Sequence, residues 1–173
     1  KKKEPIAYIL GFKHFWKYEF VVDSSVLIPR PDTETIIEEA LKILKPNESK
    51  KILDIGTGSG CIIISLLKER PKCIAAALDI SKKAIKIAKT NAKLHHLKNK
   101  IEFINIDIDK YKSNKYDLIL SNPPYVKNIS LNRLDYDIRF HEPKLALSGG
   151  IDGFSEIIKV IKKSNKLLKN NGK

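Results

Sequence analysis

An α/β domain built on a mainly parallel sheet flanked by helices is predicted by two observations. Four short apolar segments, KILDI (51–55), IAAALDI (74–80), IEFINI (101–106) and YDLILS (116–121), are rich in β-formers and lack clean alternation, as strands buried on both faces do. Helical patterns lie between them at 60–69 and 81–94, and that order requires parallel strands joined by crossover helices.

Upstream, YILGFKHFWKYEFVV (8–22) reads as a short β-hairpin. Asp32 is expected to cap a helix whose apolar positions are Ile36, Ile37, Ala40, Leu41 and Leu44. Ser81 is the expected N-cap of the later helix, with Ala84, Ile85, Ala88 and Ala92 at helical spacing. Residues 127–148 show no period and read as a long loop, placed after a strand's carboxyl end where a site would lie. LLKNNGK (167–173) reads as a helix end with Gly172 as its cap, and with no methionine anywhere the chain is expected to be a fragment.

A chain of 173 residues with 42% apolar content suits one buried domain. CIIISLL and CIAAAL fall far short of the ~20 residues a membrane helix needs, and no signal peptide opens the chain, so a cytoplasmic protein with no membrane partner is expected. Cys61 and Cys73 have neither CxxC nor metal-ligand spacing and read as small core residues, with no metal expected. The net charge of +13 invites a nucleic-acid partner. Only four of the 33 basic residues are arginine, however, and the densest run, 81–100, with seven lysines, two histidines and no acid, fits a solvated helix face better than an RNA landing surface.

The first chemical signal is LDIGTGSGC (53–61). A strand ends in Asp54, and Gly56, Gly58 and Gly60 then let the backbone turn tightly and approach a ligand before the next helix. The spacing is GxGxG, with Cys61 where the dinucleotide fingerprint wants glycine, so a pyrophosphate loop fits poorly. Asp79 ends the second strand, where a carboxylate can accept both hydroxyls of a ribose. Asp107 ends the third, where it can accept from an exocyclic adenine amine, with Ile108 packing on the ring. Successive acids on one sheet edge point to an adenosine-bearing ligand.

The second signal is NPPY (122–125) at the end of the fourth strand. It resembles the motif of methyltransferases that alkylate a planar nitrogen in an amide or an aromatic amine, and the roles that follow are what this resemblance implies. A planar amide or aromatic-amine nitrogen is a poor nucleophile and must be held in line with an electrophile. Its N–H groups can donate to the Asn122 side-chain oxygen and the Pro123 carbonyl. Pro124 restrains Pro123 to extended geometry, and Tyr125 can stack on the flat acceptor. No general base is required, because a methylated amide nitrogen is acidic enough to lose its proton to water.

The loop, Asp79 and NPPY resemble the S-adenosylmethionine-dependent methyltransferases, which implies a Rossmann-like class I methyltransferase fold. By that resemblance Asp54, Gly56, Thr57, Gly58, Ser59, Gly60, Asp79, Asp107, Ile108 and Asn122 would hold the cofactor, Asn122, Pro123, Pro124 and Tyr125 the substrate, and Asn122, Pro123 and Tyr125 would be the catalytic residues. EPIAYILGFKHFW, VLIPRPDTE (26–34), RFHEPKLAL (139–147) and LALSGGIDGF (145–154) further resemble the release-factor glutamine methyltransferase family over essentially the whole chain. PRPDTE separates it from the similar enzyme acting on a ribosomal protein. The implied substrate is the glutamine of the Gly-Gly-Gln loop of bacterial class I peptide-chain release factors, methylated at N5, with S-adenosylhomocysteine as co-product. The alternative is an N-methyltransferase acting on an adenine or guanine amino group of RNA or DNA; a non-enzymatic nucleic-acid-binding module is the third option. The resemblance also implies a division into a hairpin and linker at 1–30 and a methyltransferase domain at 31–173. The family's N-terminal helical domain and C-terminal strands are then expected to lie outside this sequence.

Overall fold

In the computed structural model, which describes residues 3–112 and 115–173, the first element is a short helix, α1 (Ile6–Leu10), followed by the antiparallel pair β1 (Phe12–Phe15) and β2 (Tyr18–Val21). The expected hairpin is therefore present but starts later, since Tyr8 to Leu10 are helical and Gly11, at φ 82°, turns the chain into the first strand. Lys1 and Lys2 of the expected 1–30 region lie outside the described residues. Phe15 and Phe20 carry the hairpin into the core.

The helix α2 (Glu34–Ile43) buries Ile37 and Ala40, with Leu44 just beyond, as its spacing predicts. Asp32 does not cap it. Pro31 starts a 3₁₀ turn over Pro31–Thr33 that runs straight into the helix, so the cap position passes to Thr33, which already has helical dihedrals and makes no side-chain cap bond.

Strand β3 (Lys51–Ile55), helix α3 (Cys61–Glu69), strand β4 (Ile74–Asp79), helix α4 (Lys82–Leu94), strand β5 (Ile101–Asn105) and strand β6 (Leu118–Ser121) follow. All four strands are parallel, in the spatial order β5-β4-β3-β6. Alternate strand residues feed two cores. Ile52, Ala75 and Ala77 meet α2, α3 and α4 on one face, and Leu53, Ile55, Ala76 and Leu78 meet Ile108, Tyr116 and Leu167 on the other. Helix α3 is buried from Cys61 to Leu67 and, Ser65 apart, apolar there on every side, because it lies between the sheet and two neighbouring helices. Ser81 caps α4 as expected, its hydroxyl accepting from the Ala84 N–H at 3.2 Å. All seven lysines of 81–100 are exposed while Ala84, Ile85, Ala88 and Ala92 are buried, the pattern of a solvated helix face.

Residues 127–148 are not a plain loop. They contain a 3₁₀ segment at Asn128–Arg133 and two short helices, α5 (Tyr136–His141) and α6 (Lys144–Leu147). The pieces are too short to show a period and bury little, which is why no amphipathic signal marks them. The helix α7 (Ser155–Leu167) ends earlier than the LLKNNGK reading expected. Leu168 is extended and bridges Tyr116, and Gly172 lies in a later turn, its N–H donating to the Lys169 carbonyl, so it caps nothing. Among the described residues no helix is long and apolar enough to cross a membrane.

Candidate active site

The chain reverses direction across the sheet at one place. From β3 it moves outward through β4 to β5, then returns to β6 on the other flank of β3, so the crevice beyond the β3 and β6 carboxyl ends is the switch point where open α/β sheets bind ligands. A pocket of about 490 Å³ occupies it, within the range of small-molecule sites. Ser121 stitches the two strand ends together, its hydroxyl donating to the Ile55 carbonyl at 2.8 Å.

The glycine loop folds over the end of β4. The Gly56 and Thr57 N–H groups both donate to the Leu78 carbonyl at 2.9 Å, and the Gly58 N–H donates to Asp79 Oδ2 at 2.9 Å. A Cβ on Gly58 would meet nothing within 4 Å, so its face looks onto open space. Gly60 has another task. With φ 81°, it sits where a Cβ would come within 2.9 Å of Ile64 Cδ1 and 3.3 Å of Ala88 Cβ, and so permits close packing of α3 on α4. Asn91, buried in α4, ties this corner to the hairpin: its amide exchanges bonds with the Val21 backbone and donates to the Ser59 carbonyl at 2.8 Å.

Among the sequence-predicted residues, Gly56, Thr57, Gly58, Ser59, Asp79, Asp107, Ile108, Asn122, Pro123 and Pro124 line this one pocket. Asp54, Gly60 and Tyr125 do not. Asp54 lies fully buried beneath the loop, where its Oδ2 accepts from the Thr57 hydroxyl at 2.6 Å and its Oδ1 has no hydrogen-bond partner among the described residues. Burial pushes its carboxyl up to about 7, with the charge of Asp79 adding and the Thr57 bond opposing. Tyr125 stands exposed at the rim.

Asp79 holds both carboxylate oxygens in defined directions, since Oδ1 accepts from the Ser81 N–H at 2.8 Å while Oδ2 accepts from Gly58. Burial raises its pKa against these two bonds. Each oxygen keeps a lone pair, so the pair of ribose hydroxyls expected there can still be accepted. Asp107 is held below the usual carboxylate range by the Asp109 N–H and by Lys159, whose Nζ lies 2.9 Å from Oδ1. Lys159 also lines the pocket from α7. Nothing in the sequence pattern singles it out, because its spacing is that of a solvated helix lysine.

Several other positions act on the site without having been expected to. Gly149 and Gly153 press against the NPPY backbone: a Cβ on Gly149 would lie 2.7 Å from Tyr125 Cα, and one on Gly153 2.6 Å from the Tyr125 carbonyl oxygen. Val126 bridges Ser148 in the same region. On the other side, the segment PRPDT crosses the pocket mouth. Arg30 is paired with the buried Glu142 carboxylate of RFHEP, which also accepts from the Ile28 N–H at 3.3 Å. Thr33 Oγ1 accepts from Asn122 Nδ2 at 3.2 Å. Cys61, buried, lines the pocket floor, and burial pushes its thiol up to about 12 despite a hydrogen bond from Ser59.

The open face of Gly58 and the two oriented Asp79 oxygens suit a ligand that carries a ribose, as S-adenosylmethionine does. Residues 35–138, more than half of the chain, match the family described as methyltransferase small domain. The chain is 42% identical over 173 residues to the release factor glutamine methyltransferase of Coxiella burnetii, covering 99% of this chain and 61% of that protein. It is 41% identical over 165 residues to the release factor glutamine methyltransferase of Buchnera aphidicola subsp. Baizongia pistaciae, covering 95% and 59%. The chain thus spans about three fifths of the length of these curated relatives. Its fold is similar to the crystal structure of a SAM-dependent methyltransferase from Geobacter sulfurreducens in complex with S-adenosyl-L-homocysteine, with a TM-score of 0.52 and 20% identity over 87% of this chain and 48% of that one.

Proposed function

We propose, from the premise that this chain belongs to the methyltransferase small domain family, that it is the catalytic part of a protein-(glutamine-N5) methyltransferase. Its substrate in this reading is the glutamine of the Gly-Gly-Gln loop of bacterial class I peptide-chain release factors, and its methyl donor is S-adenosylmethionine. The observation that carries the reading is the meeting of Asn122 and Pro123 with Asp79 in one pocket at the switch point. The relatives named above supply the choice of glutamine over a base. Residues 31–173 form the cofactor-binding and catalytic unit, with 1–30 as the hairpin leading into it.

When bound, S-adenosylmethionine supplies an electrophilic methyl group on a positively charged sulfur. The chain's own residues hold and orient. Asp79 would accept from the ribose, the backbone of Gly56 to Ser59 would hold the amino-acid end, and Ile108 would pack on the adenine beside the Asp107 carboxylate. Asn122 Oδ1 and the Pro123 carbonyl would accept the two N–H groups of the glutamine amide, orienting its nitrogen and favouring a tetrahedral shape there. Asn122 is not basic, so the proton leaves the methylated nitrogen for water. Tyr125, at the rim, is covered by the incoming loop.

The test uses the full-length protein, radiolabelled S-adenosylmethionine, unmethylated release factor, and tRNA and rRNA in parallel. Label on the release factor, lost when the Gly-Gly-Gln glutamine is changed, is the expected result; label on RNA alone would replace this reading with the base-methylating one. Asn122→Ala is expected to lower turnover by about 10²-fold or more while leaving cofactor affinity within about twofold. Near-normal turnover in that variant would remove Asn122 from the mechanism.

A further inference from the structure

We propose that Thr33 is a positioning residue for methyl transfer: its hydroxyl holds the Asn122 amide so that Oδ1 faces the acceptor nitrogen. The inference rests on the reading of Asn122 given above. It also explains what PRPDTE contributes, since that motif lies far from NPPY in sequence and supplies none of the acceptor's direct partners.

An asparagine amide is a two-ended group on a soft torsion. The terminal sp³–sp² rotation of Asn is broad and nearly two-fold, so a half-buried amide beside a pocket does not fix its own plane. Only the oxygen end serves here, because the acceptor presents two N–H groups and an Nδ2 turned toward them would set donor against donor. In the structure Nδ2 is taken by Thr33 Oγ1 at 3.2 Å, and both residues line the pocket. A hydroxyl can also donate, so Thr33 alone would tolerate either end; the acceptor's N–H groups exclude the reversed one. Thr33 sets the plane and the acceptor selects the end.

The hydroxyl is itself held from several sides. Thr33 is β-branched and stiff at χ1. It ends a 3₁₀ turn whose first residue is Pro31, and its N–H donates to the Arg30 carbonyl at 3.1 Å. Arg30 is in turn paired with buried Glu142, and Glu34 Oε1 accepts from the Trp16 N–H at 2.8 Å. The segment thus runs from an anchored base, Arg30, to an anchored acid, Glu34, with Thr33 between them and its hydroxyl against the Asn122 amide.

The experiment compares Thr33→Val, which keeps shape and removes the hydroxyl, with Thr33→Ser, which keeps the hydroxyl. Both are made in the full-length enzyme and in an Asn122→Ala background. Turnover, the KM for release factor, cofactor affinity by calorimetry and the thermal midpoint are measured. The expected result is a fall of about tenfold in kcat for Thr33→Val, with cofactor affinity and thermal midpoint unchanged, substantial recovery in Thr33→Ser, and no further fall when Thr33→Val is added to Asn122→Ala. Parent-like turnover in Thr33→Val, or an equal loss in the Asn122→Ala background, overturns the inference and leaves the proposed function standing. Near-normal turnover in Asn122→Ala overturns the inference and removes Asn122 from the mechanism, whereas label on RNA alone with the parent enzyme is what overturns the proposed function.

Discussion

Asp54 shows how one residue can be legible by type and misplaced by role. Its position before a GxGxG loop marks it as functional, yet it lies under the loop and touches the pocket only through Thr57. Its elevated pKa has a thermodynamic consequence. The ordinary carboxyl value is 3.8 and burial raises it to about 7, so between these limits the native chain holds a proton that the unfolded chain has already released. The stability associated with the neutral form is therefore complete below about pH 4 and declines as the pH rises through about 7. Asp54→Asn removes this dependence. Between about pH 4 and 8 the variant should gain on the order of a few kcal/mol relative to the parent in urea unfolding. A difference between the two proteins that stays constant over that range would show that Asp54 is ionised in the native state.

At the scale of elements, the strands and long helices follow from the sequence because burial on both faces forces continuous apolar runs and burial on one face forces helical spacing. The ends of elements obey local competition that the pattern does not display. Pro31 begins a 3₁₀ turn and takes the cap away from Asp32, and Leu168 leaves α7 to bridge Tyr116 and makes Gly172 irrelevant as a cap. The same holds for the site. Asp79, Asn122 and the loop glycines sit at strand ends and were readable there, but Thr33 reaches Asn122 across 89 positions and Arg30 reaches Glu142 across 112, distances at which spacing carries no information. The glycines of the loop also divide by element. Gly60→Ala should destabilise the chain by about 1–3 kcal/mol, because a left-handed φ and contacts to Ile64 and Ala88 both oppose a methyl group. Gly58→Ala, also at a left-handed φ of 55°, should lose the backbone part of that stability and in addition weaken cofactor binding, since its Cβ would project into open space at the loop face. Urea midpoints and calorimetric titration of both variants separate the two effects; equal loss of stability with no loss of affinity at Gly58 would deny the loop its proposed role.

For the whole molecule, the pocket is a meeting point of distant parts: the ends of β3, β4 and β6, the PRPDT crossing, the α6 region and α7. A ligand seated there favours the native state over the unfolded one. S-adenosylhomocysteine at 100 times its Kd should add about 2.7 kcal/mol of stability, which for a chain of this size raises the thermal midpoint by roughly 5–10 °C. Asp79→Ala should abolish most of that rise at the same ligand concentration, and an undiminished rise in differential scanning fluorimetry would refute the ribose assignment. A protein that houses a methylating agent also faces the hazard of poisoning itself. Cys61 lines the pocket, but thiolate is the reactive form of a cysteine, and burial pushes this thiol up to about 12 and so keeps it neutral at pH 7. If the proposed function holds, dry packing at the head of α3 would act as chemical insulation: an electrophile held in this pocket would meet a neutral thiol, and the methyl group would survive until an acceptor arrives.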